Sequence, residues 1–229
     1  EFNDAISYID LVRALRSWRQ PIKFTFNNIR FKEDLSKRAG EEFMFSSEEL
    51  LTILDSETDC RELGFDTLTI TAMFIPNTYE MYWDISADQF VERMKTEYDR
   101  FWNADRRARA QAIGLTPIQV STLASIVEEE TAQLQEYPIV AGLYINRLHR
   151  GMLLQADPTL KYAAGDVTLK RVLNKHIEID SPYNTYKYAG LPPGPIRIPS
   201  IQGIDAVLNY TQHNYIYMCA KEDLSGTHN

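Results

Sequence analysis

Hydrophobic and polar positions along this chain follow two periods, and the switches between them mark its elements. Residues 4–18 carry Ile6, Ile9, Leu11, Val12, Leu15 and Trp18 at helical spacing, which predicts an amphipathic helix ended by Pro21. Residues 22–29 alternate instead, with Ile22, Phe24 and Phe26 set against Lys23, Thr25 and Asn27, the period of a half-buried strand. Residues 31–39 and 46–54 return to helical spacing. Ser46 or Ser47 caps the second of these, and Glu48 and Glu49 lie near the positive end of its dipole. Residues 66–74, with Leu68, Ile70 and Met73, predict a second strand.

A long helix is expected over 86–112, with Phe90, Met94, Tyr98, Phe101 and Trp102 on its apolar side and Arg106, Arg107 and Arg109 on a solvated face. Helices follow at 117–132 and 136–149, the second stopped by Gly151. Asp157 precedes Pro158 and is placed to cap a short helix through Tyr162, and another short helix is expected at 168–174. Five prolines between 182 and 199 exclude regular structure there. That stretch is rich in Tyr, Asn and Ser, and reads either as a rigid functional loop or as a surface connection. A helix at 200–208 and a strand at 215–219 close the pattern. The fold class is α+β, divided into a small strand–helix–helix–strand module within 1–73 and a mixed domain over 74–229.

The helix over 117–132 ends in three consecutive carboxylates, in the run Leu-Ala-Ser-Ile-Val-Glu-Glu-Glu-Thr at 123–131. Each residue advances about 100° around the axis. Glu130 therefore shares its face with Leu123, Ile126 and Val127, and it alone is expected to point inward. Glu128 and Glu129 project beside Ser121, Thr122, Ala124 and Ser125. An inward carboxylate with no cation nearby has its charged form disfavoured, so its pKa rises and it suits general acid work. The alternative is a glutamate at the edge of the core with its head in water.

Composition narrows the picture. The chain has 229 residues, 44% of them hydrophobic, enough for one large or two small cores. A net charge of −8 without a basic cluster argues against nucleic acid. The apolar stretch at 138–145 is too short for a membrane span, and no signal peptide opens the sequence. Cys60 and Cys219 are far apart, and the four histidines show no metal-ligand spacing, so neither metal nor cofactor is expected.

Several motifs occur in order: the run at 123–131, Asn-Arg-Leu at 146–148, Leu-Gln-Ala-Asp-Pro-Thr at 154–159, Asp-Ser-Pro-Tyr-Asn-Thr-Tyr at 180–186 and Gly-Leu-Pro-Pro-Gly-Pro at 190–195. Taken together, they resemble the YceG-like family of endolytic murein transglycosylases. Phe-Ile-Pro-Asn-Thr-Tyr at 74–79 is similar to another family stretch, with Asn77 in an acidic place. Upstream, the strand–helix–helix–strand order resembles a LysM-like carbohydrate-binding module, an order that many unrelated α+β modules share.

The resemblance implies a bacterial enzyme that cuts peptidoglycan glycan strands internally, held to the inner membrane by an N-terminal helix, with its catalytic domain on the periplasmic face. That anchor, and a C-terminal segment following Gly226-Thr-His228, are not seen in this sequence, and loss of the latter would bear on full activity. The family's catalytic glutamate precedes a threonine, which lands on Glu130. A lytic transglycosylase can work with one such group. The acid protonates the bond between N-acetylmuramic acid and N-acetylglucosamine, then takes the proton of the muramyl C6 hydroxyl as it attacks C1, giving a 1,6-anhydro sugar. Asn146, Gln155, Asp157, Ser181, Tyr183, Asn184 and Tyr186 are the expected sugar-binding residues. Asp157 is also the candidate second carboxylate of a muramidase-type hydrolase. A non-catalytic glycan binder and a scaffold for cell-wall synthesis proteins are the other readings.

Overall fold

The computed structural model describes residues 7–10, 12, 21–27, 29–169 and 172–219. The helix expected over 4–18 lies mostly outside these residues; of the described ones, Tyr8, Ile9, Asp10 and Val12 are helical. The first strand, β1 (Pro21–Phe26), buries Phe24 and Phe26 and exposes Lys23 and Thr25, as the alternation requires. Two helices, α1 (Lys32–Gly40) and α2 (Ser47–Asp55), follow where expected, and a short third, α3 (Glu57–Glu62), is added. A capping box closes the start of α2. Glu49 N–H donates to Ser46 Oγ at 3.1 Å, and Ser46 N–H donates to Glu49 Oε2 at 2.6 Å.

The strand expected at 66–74 is not one. Asp66 Oδ1 accepts from the backbone N–H of Leu68 and Thr69 at 2.9 and 2.8 Å and from Thr69 Oγ1 at 2.8 Å. This side-chain turn winds the chain into a short 3₁₀ helix, Ile70–Met73. The partner of β1 comes later, as β2 (Asn77–Tyr82), antiparallel in a register that sets Phe24 opposite Tyr79 and Phe26 opposite Asn77. Tyr79 and Met81 join the buried face, where Phe24 meets Phe43 and Phe90 at ring-centroid distances of 5.1 and 5.6 Å.

The long helix expected over 86–112 breaks in two, α4 (Ala87–Phe101) and α5 (Ala104–Ile113). Asn103 accepts from Arg106 N–H at 3.0 Å and starts a new helix, a local signal that apolar spacing hides. The arginines of α5 are not simply solvated. Arg106 donates to both oxygens of Asp205 and stacks 4.1 Å from the Phe101 ring centroid, Arg107 donates to Trp102 O at 2.6 Å, and Arg109 donates to Asn209 Oδ1 at 2.8 Å.

The central element is α6 (Pro117–Glu130), capped by Thr116 with Pro117 in its first turn. Its residues 120–127 are all buried, including Ser121, Thr122 and Ser125. It packs against α7 (Tyr137–His149) and α10 (Ile201–Leu208), while α8 (Asp157–Ala163) and the single turn α9 (Asn174–Ile177) lie between. The helix expected at 168–174 is not formed by the described residues there; the one turn that forms begins at Asn174. The strand expected at 215–219 is likewise absent, and residues 211–219 run along α7 without a strand partner. Gly142 permits that approach, since a Cβ on it would fall inside the radius of Thr211 O and 2.9 Å from His213 Nε2. A single cluster of buried side chains extends from Phe24 through Leu123 to Leu208.

Candidate active site

The C-terminal end of α6 delivers Glu130 into a cluster of polar groups. Thr131 ends the helix in extended conformation, its Oγ1 donating to Glu136 Oε2 at 2.7 Å and accepting Gln133 N–H at 3.1 Å. The threonine thus fixes the turn that aims the preceding glutamate. From the facing helix α7, Tyr144 Oη donates to Glu130 Oε2 at 3.0 Å. Burial first, and then the adjacent Glu130 carboxylate, hold the Tyr144 phenol well above its ordinary range, so it stays a proton donor. Tyr144 was not singled out in the sequence, where it reads as one more apolar position of α7.

One turn on, Arg147 is buried, with only 6% of its surface exposed. Its guanidinium donates to Leu154 O at 2.7 Å and Ile216 O at 2.6 Å, and lies 3.5 Å from Gln155 Oε1. Its charge offsets part of the upward shift at Tyr144 and at Tyr186. Arg147 therefore joins α7, one turn beyond Tyr144, to the segment that carries Gln155.

The segment carrying Gln155 and Asp157 is joined to the loop at 180–186 through Thr185. Gln155 N–H donates to Thr185 O at 3.0 Å, and in the buried interior Ala156 N–H donates to Thr185 Oγ1 at 3.0 Å and the hydroxyls of Thr159 and Thr185 meet at 2.7 Å. Gln155 itself is held at φ 49°, a left-handed conformation that a residue with a Cβ adopts only when its surroundings enforce it. The next residue after Thr185, Tyr186, donates Oη to Asp157 Oδ1 at 2.5 Å. Burial, then this bond, push the Tyr186 phenol up, with a further contribution from Glu130. Asp157 is not the helix cap expected of it: Ala156 holds the cap position, and the carboxylate is engaged by Tyr186 instead.

Direct side-chain contacts link Glu130 to Tyr144, Arg147 to Gln155 and Asp157 to Tyr186. The structure does not bring the other expected residues into these contacts. Tyr183 is buried against Tyr162 at 4.7 Å between centroids. Asn184 is 0% exposed and spends its amide on Ile177 O and Ile179 O, both at 2.8 Å, while its Oδ1 accepts Tyr186 N–H. These two side chains organise the loop from within rather than offering a ligand surface. Ser181 Oγ accepts Tyr183 N–H at 3.2 Å and lines a shallow depression with Asp180, Tyr188 and Leu191. Asn146 donates to His213 O at 2.7 Å and Tyr215 O at 3.0 Å, fastening the C-terminal segment. The expectation that Glu130 alone points inward also fails. The side chain of Glu128 is only 4% exposed and that of Glu129 19%. The reason is that α6 is covered on several sides, so its small Ser, Thr and Ala positions face protein too. Among the described residues, no three His, Cys, Asp or Glu side chains are grouped as a metal site would require.

A mostly helical α+β protein with a small two-stranded sheet, its central helix ending in a carboxylate–tyrosine–arginine cluster, is the class these features define. The chain belongs to the YceG-like family, whose model matches residues 1–229. Over 202 residues it is 31% identical to the endolytic murein transglycosylase of Bacillus subtilis (strain 168), an alignment covering 80% of this chain and 55% of that protein. Over 149 residues it is 32% identical to the endolytic murein transglycosylase of Streptococcus pneumoniae (strain D39), covering 63% and 27%. The chain thus spans about half the length of the first relative and about a quarter of the second. The crystal structure of a putative yceG-like protein from Listeria monocytogenes matches with a TM-score of 0.74 at 24% identity, over 98% of this chain and 78% of that one, a likeness of fold.

Proposed function

We propose that this chain is the catalytic portion of a lytic transglycosylase that cleaves the N-acetylmuramic acid–N-acetylglucosamine bond within peptidoglycan strands, with Glu130 as the single acid and base. The observation that carries this is the Tyr144–Glu130 hydrogen bond at the end of the central helix. A phenol that stays protonated holds the carboxylate in one orientation, so the proton is delivered along a set direction. Glu130 gives its proton to the leaving glycosidic oxygen, then removes the C6 hydroxyl proton as that oxygen closes onto C1. The accessible polar groups of Gln155 and the Tyr186–Asp157 pair orient the sugar. The names of the curated relatives support peptidoglycan as the substrate.

A hydrolytic outcome would need a second carboxylate free to act on water or on C1. Asp157 is the candidate, and its bond from Tyr186 favours an orienting role over a nucleophilic one. The LysM-like unit expected within residues 1–73, whose strand Pro21–Phe26 pairs instead with Asn77–Tyr82 beyond that boundary, serves in this reading to hold the glycan. The protein works at the outer face of the bacterial inner membrane, where its substrate lies. Digestion of purified peptidoglycan followed by mass spectrometry tests the proposal. Products ending in 1,6-anhydro sugars are expected; hydrated reducing ends would make it a muramidase. Binding without any product, unchanged in Glu130→Gln, would make it a glycan-binding protein.

A further inference from the structure

The last turn of α6 carries Glu128, Glu129 and Glu130 and no basic residue, at the helix end where the macrodipole is already negative. Two arginines from remote segments answer this charge. Arg30, just after β1, donates Nη2 to Glu129 Oε2 at 2.7 Å. Arg197, from the proline-rich stretch, donates Nη1 to Glu129 Oε1 at 2.7 Å, and its Nε lies 3.6 Å from Glu128 Oε2. The two segments are tied to one another by Ile198 N–H donating to Ile29 O at 2.9 Å. The second is pinned along α6, with Ile196 N–H on Ser125 Oγ at 3.1 Å and Ser200 N–H on Glu128 Oε1 at 2.9 Å.

We propose that Arg197, assisted by Arg30, is a positioning and charge-balancing residue for Glu130. Two guanidinium groups against Glu128 and Glu129 bring this turn near neutrality. They also lock the backbone from which the next side chain, Glu130, projects. A guanidinium suits the task because its planar fork reaches two carboxylates at once, which an ammonium does less well. Among the described residues, the titratable and charged groups around Glu130 include Tyr144, with Arg147 one turn on along α7, Tyr186 and its partner Asp157, Glu136 by way of Thr131, and the Glu128, Glu129, Arg197 and Arg30 set itself. Altering this last set leaves the side chains of Tyr144, Tyr186 and Asp157 unchanged. The activity arm of the test rests on Glu130 being the acid–base group; the titration arm does not.

The experiment is a series of Arg197→Gln, Arg197→Lys, Glu129→Gln and the Arg197→Gln/Glu129→Gln double variant. Each is followed by carbon NMR titration of the Glu130 carboxyl, assigned by its loss in Glu130→Gln, and by the pH–rate profile on peptidoglycan. Arg197→Gln leaves one uncompensated negative charge, so the Glu130 midpoint should rise by about half a pH unit or more. Glu129→Gln leaves one excess positive charge, so the midpoint should fall by a similar amount. The double variant should return toward wild type. Arg197→Lys should keep the midpoint but lower kcat by about tenfold with little change in KM, because charge is retained and geometry lost. Midpoints that stay fixed in both single variants while only melting temperature drops would overturn the proposal and leave a purely structural clamp. Shifts of the same sign in both would also overturn it. Should Arg197→Gln fail to fold, Arg30→Gln and Glu129→Gln supply the two opposite signs. A wild-type protein that yields no anhydro product defeats the proposed function while the titration still decides this inference.

Discussion

Gly142→Ala separates two effects of opposite sign. In a helix interior, alanine is worth about 1 kcal/mol more than glycine, so local propensity predicts a more stable protein. The tertiary structure predicts the reverse. A Cβ at residue 142 meets the carbonyl oxygen of Thr211, a backbone atom that cannot swing aside, and lies 2.9 Å from His213 Nε2. The segment at 211–215 must move off α7. Four hydrogen bonds hold it there: Thr211 N–H to Pro138 O at 2.9 Å, His213 Nε2 to Ile139 O at 2.9 Å, and Asn146 Nδ2 to His213 O and Tyr215 O. Each is worth about 0.5–1.5 kcal/mol net, so loss of more than two outweighs the helical gain. The expected result is a net destabilisation of about 1–3 kcal/mol, or a melting temperature lower by about 3–9 °C. Amide exchange should quicken first in residues 211–216. A variant that melts at or above wild type, with those amides still protected, would refute the reasoning and show that the segment is not held by its bonds to α7.

Glu130→Gln keeps the volume of the side chain and an acceptor for Tyr144, so we expect a folded protein that releases no anhydro-muropeptides from peptidoglycan. Retained release would remove Glu130 from the chemistry. Thr185→Val leaves the buried Ala156 N–H without its acceptor, and should cost about 1–3 kcal/mol in denaturant unfolding. It should also loosen the Tyr186–Asp157 pair and raise KM; an unchanged unfolding midpoint would sink this account of the loop. Burial raises the Tyr79 and Tyr98 phenols to about 12. Their neutral forms therefore favour the folded state, with full effect below the unfolded value near 10, declining as pH rises toward 12. Phenolate absorbance should appear together with unfolding in that window, and ionisation of all tyrosines near pH 10 with structure intact would contradict it.

Much of this protein is legible without coordinates, where local chemistry leaves little choice. The alternation of β1, the capping box of α2, the start of α6 at Thr116-Pro117 and the irregular course of 180–195 follow from steric and hydrogen-bonding rules that act within a few residues. Helical phase and the family resemblance nominated Glu130, and the structure sets that residue against Tyr144. Local rules also account for the misses at Asp66 and Asn103, whose side-chain caps compete with apolar spacing and win.

What sequence spacing does not contain is how many sides of a helix are covered. The phase of α6 sets Glu128 and Glu129 on a polar flank, and that flank would be solvated on a two-layer helix. Here residues 196–200 and α10 cover it, admitted by Gly203, where a Cβ would strike the Glu128 carboxylate. The two glutamates therefore meet Arg30 and Arg197, about 100 and 70 positions away in the chain. In the same way, Tyr144 and Arg147 read as apolar and basic positions of an ordinary helix until α7 is set against the end of α6. The amino-acid sequence by itself determined most of the elements, because those depend on neighbours along the chain, and it nominated Glu130. Only the tertiary structure decided which phenol and which cations surround that candidate, because long-range packing alone selects which remote groups share its low-dielectric space.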